Sequence, residues 1–206
     1  MKVKICGITN LADAMAAADA GADALGFIFC DNSPRFVTVE TAATFARQLP
    51  PFLVKVGVFV NPPEALVFRA VAECGLNLAQ FHGDETPEFC GQFGVMSMKA
   101  FRIRDAESLG ELPQYATDAW LLDAYSKDKL GGTGEKFNWD LAVEAQKLAA
   151  GRPVFLAGGL TPENVAEAIR RVQPYGVDVS SGVEAAPGRK DHEKVRKFVR
   201  QAKGQA

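Results

Sequence analysis

The sequence predicts an α/β fold, a single-domain (β/α)8 TIM barrel spanning residues 1–206. Three observations predict it. Eight short apolar runs recur along the chain, helical periods separate them, and no linker interrupts the alternation. The length, 206 residues, is about 1.4 times the usual ~150 residues of a domain, so one large domain is expected rather than two small ones. Hydrophobic residues make up 48% and charged residues 23%, ordinary globular values that argue against long disorder.

The apolar runs are Val3–Cys6, Ala24–Phe29, Leu53–Phe59, Leu78–Phe81, Ser97–Phe101, Ala119–Asp123, Val154–Ala157 and Gly176–Ser180. Each has the length of a buried parallel strand. Between them lie helical signatures. Leu11–Ala20 is Ala-rich and stops at Gly21, a residue suited to a left-handed helix end. Val165, Ala168, Ile169 and Val172 sit at i, i+3, i+4 and i+7, and Val195, Phe198, Val199 and Ala202 repeat the spacing. Thr86-Pro87-Glu88 and Thr161-Pro162-Glu163 each set a hydroxyl cap before a proline and an acid, and Asn61 before Pro62-Pro63 looks similar. An open doubly wound sheet is the alternative. It would normally carry a glycine fingerprint after its first strand, and Cys6-Gly7-Ile8-Thr9 is not G-x-G-x-x-G.

Composition excludes several classes of function. Lys+Arg is 23 against 25 for Asp+Glu, a net charge of −2, so no single-sign field draws a nucleic acid backbone or a membrane surface. The longest apolar runs fall far short of the ~18 residues of a membrane span. The opening MKVKICG reads as a strand, not as a signal peptide. Cys6, Cys30, Cys74 and Cys90 form no CxxC pair, so neither a redox couple nor a zinc site is suggested. A cytoplasmic protein with reduced thiols is expected. The amphipathic helices with charged outer sides give no dimer signal, and a monomer is expected rather than a homodimer.

In a barrel the function lies at the C-terminal ends of the strands. Alternation sets Lys4 and Cys6 on one face of the first strand. Arg35 falls in the second βα turn, His82 ends the fourth strand and Asp123 ends the sixth. Gly158-Gly159 follow the seventh strand, and Ser180-Ser181-Gly182 the eighth. Both of these turns are glycine-rich and run into helical residues, the arrangement that offers backbone N–H groups to an anion. These features point to a phosphorylated small molecule, with a thiol and a carboxylate nearby. Cys30, Cys74 and Cys90 read as ordinary apolar positions, the last two within helices.

The residues Lys4-Ile5-Cys6-Gly7-Ile8-Thr9, Ser33-Pro34-Arg35, Gln80-Phe81-His82-Gly83, Leu121-Leu122-Asp123, Gly131-Gly132-Thr133-Gly134, Ala157-Gly158-Gly159-Leu160 and Asp178-Val179-Ser180-Ser181-Gly182-Val183-Glu184 resemble the phosphoribosylanthranilate isomerases of tryptophan biosynthesis. The resemblance runs from the first strand to the last. Phe81 departs from it, because the family more often has Leu before His-Gly.

The resemblance implies an Amadori rearrangement of a small phosphoribosyl substrate, without metal or organic cofactor. Cys6 would be the general base and Asp123 the general acid. Such an acid needs a raised pKa and such a thiol a lowered one. Arg35 would bind the anthranilate carboxylate, and Gly158, Gly159, Ser180, Ser181 and Gly182 the phosphate, helped by the loop holding Gly132. His82 is a rim contact. Asp178 should point into the barrel, either to bind ribose hydroxyls or to pair with Lys4; both readings stay open.

Rival phosphosugar barrels fit less well. A metal-dependent epimerase needs a cluster of His and acidic ligands, and only His82 and His192 exist. A sugar isomerase of histidine synthesis with two catalytic aspartates would have Asp where Cys6 stands. A non-catalytic phosphate-binding barrel would have lost Cys6 or Asp123, and both are present.

Overall fold

Eight parallel strands close on themselves in chain order: β1 (Lys2–Cys6), β2 (Ala24–Ile28), β3 (Val54–Phe59), β4 (Leu78–Phe81), β5 (Met96–Ile103), β6 (Ala119–Ala124), β7 (Val154–Ala157) and β8 (Gly176–Val179). The structure is a computed structural model that describes residues 1–124 and 139–204. Each strand matches an expected apolar run to within two residues at either end. Helices α1 (Leu11–Asp19), α2 (Val39–Ala46), α3 (Glu64–Cys74), α4 (Pro87–Cys90), α5 (Trp139–Leu148), α6 (Val165–Val172) and α7 (His192–Lys203) lie between or after the strands. The closed ring excludes the open doubly wound sheet.

Two crossovers depart from the simple pattern. Between β5 and β6 the chain makes two 3-10 turns, Glu107–Leu109 and Leu112–Gln114, where a helix was expected. Gly110 and Pro113 interrupt this short segment and remove the propensity and the N–H that a helix requires. After β8 the chain makes a 3-10 turn at Ser181–Val183, then an antiparallel hairpin, β9 (Glu184–Ala186) and β10 (Arg189–Lys190), before α7.

Local chemistry explains most helix starts. Thr86 caps α4 by accepting from Phe89 N, as expected. Thr161 Oγ1 accepts from Glu163 N at 3.2 Å, so the expected hydroxyl cap forms on a turn, and α6 itself begins four residues later at Val165. Asn61 caps no helix. It takes a left-handed φ of 46°, and its Oδ1 accepts from Asp84 N at 2.7 Å across the next βα turn. Gly21 takes φ 91° after α1, the conformation its position demands.

The core has two layers. Val3, Ile5, Leu25, Phe27, Val177 and Val179 face outward against the helices. Phe81 belongs to this outer layer, where it packs against Phe59, Phe89 and Phe93, so its departure from the family's usual Leu lies away from the barrel mouth. The inner layer holds small residues, including Ala24, Val56, Val58, Ala100, Ala119 and Ala157, together with Cys6. Lys4 and Asp178 are buried beneath that mouth, set side by side by the β1–β8 register. No described helix is long and apolar enough to cross a membrane.

Candidate active site

The two sides of the mouth carry different chemistry. On β1, Cys6 pairs in register with Gly26 of β2. A side chain at Gly26 would press on both Cys6 Sγ (2.8 Å) and Lys4 Nζ (3.1 Å), so glycine there makes room for the thiol and the ammonium together. Lys4 Nζ donates to Asp178 Oδ1 at 2.9 Å. Asp178 thus pairs with Lys4, as a buried ammonium requires.

Burial pushes the Cys6 thiol above its ordinary pKa, and the Lys4 ammonium pulls it partly back. A thiolate base needs a lowered value, so this direction works against that role. Its cause is desolvation of the anion inside the barrel, which together with the Asp178 charge exceeds the attraction of Lys4 and Lys190. Burial works against the Lys4 charge too, but Asp178 and Cys6 hold its pKa above the ordinary value.

Asp123 ends β6, partly exposed on the far side of the ring from Cys6. Its Oδ2 lies 3.1 Å from His82 Nε2, and His82 Nδ1 faces Gln80 Nε2 at 3.4 Å. His82 thus bridges Gln80 and the Asp123 carboxyl group at the rim. Behind His82, the buried Glu85 accepts from Asn61 N (2.7 Å), Gly83 N (3.0 Å) and Lys99 Nζ (2.9 Å), which locks the turns after β3 and β4. Arg102 pairs in register with Asp123 and is exposed at the same rim.

Arg35 reaches over Gly7, where a Cβ would come within 2.6 Å of Arg35 Cδ. Its Nε and Nη2 donate to the two carboxylate oxygens of Glu184, each at 2.7 Å. That fork was not expected, since the sequence reading left the whole guanidinium to a ligand. Only Nη1 stands outside it.

The turns after β7 and β8 meet. Gly158 and Gly159 take φ of 82° and 65°, and a Cβ at Gly159 would enter open space. A Cβ at Gly182 would collide with the Leu160 carbonyl oxygen, so the second turn is wedged against the first. Among the described residues the N–H groups of Gly159, Ser181 and Gly182 donate no hydrogen bond. Ser180 Oγ is buried and likewise without a partner among them. Donors left free on adjoining turns suit an anion. Gly132 lies outside the described residues. Among the described residues no group of three His, Cys, Asp or Glu side chains could hold a metal ion.

The sequence model described as N-(5'phosphoribosyl)anthranilate (PRA) isomerase matches residues 3–201. The chain belongs to the phosphoribosylanthranilate isomerase family. The N-(5'-phosphoribosyl)anthranilate isomerase of Pelobacter propionicus is 57% identical over 203 residues, which cover 98% of this chain and 96% of that one. The crystal structure of phosphoribosyl anthranilate isomerase from Thermotoga maritima has a TM-score of 0.91 and 40% identity, covering 99% of each chain. A phosphoribosyl anthranilate isomerase in complex with reduced 1-(o-carboxyphenylamino)-1-deoxyribulose 5-phosphate has a TM-score of 0.89 and 39% identity, again over 99% of each chain.

Within this phosphoribosylanthranilate isomerase barrel, four charged residues escaped the sequence reading: Glu184, Lys190, Glu85 and Lys99. Glu184 ends the Asp178–Glu184 motif, where nothing local marks it as the partner of Arg35. The signal that could have found Lys99 is an alternation that turns a lysine outward in a strand too apolar to face water.

Proposed function

We propose that this chain converts N-(5-phosphoribosyl)anthranilate to 1-(2-carboxyphenylamino)-1-deoxyribulose 5-phosphate, the isomerisation step of tryptophan biosynthesis. The observation that carries the reading is a family match over residues 3–201 with a thiol and a carboxyl group ending β1 and β6 of one barrel mouth.

Asp123 gives its proton to the furanose ring oxygen, and the C1′–O bond breaks to leave a Schiff base between C1′ and the anthranilate nitrogen. His82 holds the donating oxygen in place. Cys6 as thiolate then removes the proton from C2′, and the electron pair moves to C1′ and nitrogen to form an enolamine. The enolamine's C2′ hydroxyl loses a proton as C1′ gains one, which yields the ketone with no net change in protons. Because burial holds the thiol pKa up, the thiolate forms against desolvation, and the Lys4 ammonium beside it supplies the compensating charge.

The substrate's phosphate lies on the N–H groups of Gly159, Ser181 and Gly182, with Gly158 and Ser180 shaping the two turns and Gly132 on the loop above. The anthranilate carboxylate takes the free edge of Arg35, whose position Glu184 fixes. Asp178 acts through Lys4 and not on the ribose. The charged outer faces of α6 and α7 support a monomer, whereas Phe52, 98% exposed just before β3 and the most exposed large apolar residue among those described, argues for a contact. Sedimentation decides between them.

The test is chemical identification of the product. Incubation of the purified chain with N-(5-phosphoribosyl)anthranilate should yield a compound of unchanged mass with a ketone carbon at C2′. Recovery of unreacted substrate, or of hydrolysis products alone, would overturn the assignment.

A further inference from the structure

The hairpin β9–β10 is an addition that a closed barrel does not need, yet it carries two buried charges, Glu184 and Lys190. Register pairs Lys190 with Glu184 across it. Lys190 Nζ donates to Glu184 Oε1 at 2.9 Å and to the Ser180 carbonyl oxygen at 3.2 Å. Gly188 N adds a hydrogen bond to Glu184 Oε1 at 3.3 Å. From the other side Glu184 holds Arg35 by both carboxylate oxygens.

Exposure separates the roles. The side chains of Lys190 and Glu184 are 0% and 5% exposed, so neither can reach a ligand, while that of Arg35 is 18% exposed. Two cations surround one carboxylate, which leaves the cluster with an excess of one positive charge beneath a site for a dianionic or trianionic molecule. The hairpin's far end is anchored too. Lys190 N donates to Asp13 Oδ2 at 2.9 Å, and Asp13 Oδ1 lies 2.8 Å from His192 Nε2.

We propose that Glu184 is a positioning residue that couples the two anion-binding ends of the site. Through Arg35 it aims the guanidinium edge at the substrate's carboxylate. Through Lys190 it holds the Ser180 carbonyl, and with it the turn whose Ser181 and Gly182 N–H groups face the phosphate. The coupling rests on the isomerase reading for the identity of the two anions, but not for its geometry. A buried carboxylate shared by two cations has one arrangement in which both cations reach its oxygens, and that arrangement sets both ends at once.

The experiment uses Glu184→Gln and a second variant, Glu184→Met with Lys190→Met, which removes both of the most enclosed charges of the cluster and leaves only the partly exposed Arg35 without its partner. Steady-state kinetics should show KM for N-(5-phosphoribosyl)anthranilate raised about tenfold or more, with kcat changed far less. Binding is read separately, without turnover, from the rise in Tm that ribose 5-phosphate or anthranilate gives the wild type. Both rises should shrink in both variants. A folded variant with unchanged KM, or one that weakens only one of the two probes, would overturn the coupling. So would a wild type that binds neither probe. A wild type that binds both but turns nothing over would end the isomerase reading while the coupling is still decided by the probes.

Discussion

His82 Nε2 lies 3.1 Å from Asp123 Oδ2, across two strands of the same rim. In the proposed mechanism the histidine holds the carboxyl group that protonates the sugar ring oxygen. Asp123→Asn should lower kcat by about 10²–10⁴-fold, because an amide cannot give up a proton there. His82→Ala should cost less, about tenfold, because it removes the orientation and keeps the acid. If Asp123→Asn raises KM alone, Asp123 binds substrate and another acid must exist.

Lys4→Met tests the charge beneath the thiol. The substitution leaves Asp178 buried without its partner, a change worth about 3–5 kcal/mol of stability. It also removes the group that pulls the Cys6 pKa back, so the thiolate forms at higher pH. The alkaline rise of kcat and the ultraviolet thiolate signal should both move up the pH scale. A large loss of stability with an unmoved pH profile would show that Lys4 is structural only.

Alkaline stability follows from the buried thiols. Burial raises Cys74 to about 11 and Cys90 to about 12 from an ordinary 9.0, and Cys6 in the same direction. Each folded pKa exceeds its unfolded value, so the stabilisation is complete below pH 9 and is lost as pH climbs through the folded values. Between those limits each thiol lowers stability by about 1.4 kcal/mol per pH unit. Urea midpoints should fall from pH 8.5 to about 10.5, and Cys90→Ala should flatten the slope. Equal midpoints at the two pH values would contradict this.

Gly182→Ala probes the phosphate turn. The added Cβ meets the Leu160 carbonyl oxygen, so the turn must move away from β7. Stability should fall by about 1–3 kcal/mol, the usual cost of overpacking, and the Tm gained from inorganic phosphate should largely vanish. Retained phosphate stabilisation would place the anion elsewhere.

Much of this was legible in the sequence because parallel strands announce themselves. Apolar runs fixed β1 to β8, and simple alternation set Lys4 beside Cys6 and Asp178 beside Ser180. What stayed hidden depends on tertiary neighbours. The Lys4–Asp178 choice turned on the β1–β8 register. The Arg35–Glu184 fork joins residues 149 apart through a hairpin too short to carry an apolar period. The direction of the Cys6 pKa depends on how much of the barrel closes over it, which no spacing encodes. Thr161 reads as a helix cap and its hydroxyl does accept from Glu163 N, but Asn164 Oδ1 accepts from the Thr161 N–H and a turn precedes the helix, which starts at Val165.

Cys6 carries the central claim. Addition of enzyme to N-(5-phosphoribosyl)anthranilate, with the anthranilate fluorescence followed over time, compares wild type and Cys6→Ser directly. A serine hydroxyl keeps the size and fold but is too weakly acidic to serve as the base, so the wild type should consume the fluorescence and the variant should do so about 10²–10⁴-fold more slowly. A Cys6→Ser protein that folds normally and turns over within a few-fold of wild type would contradict the account.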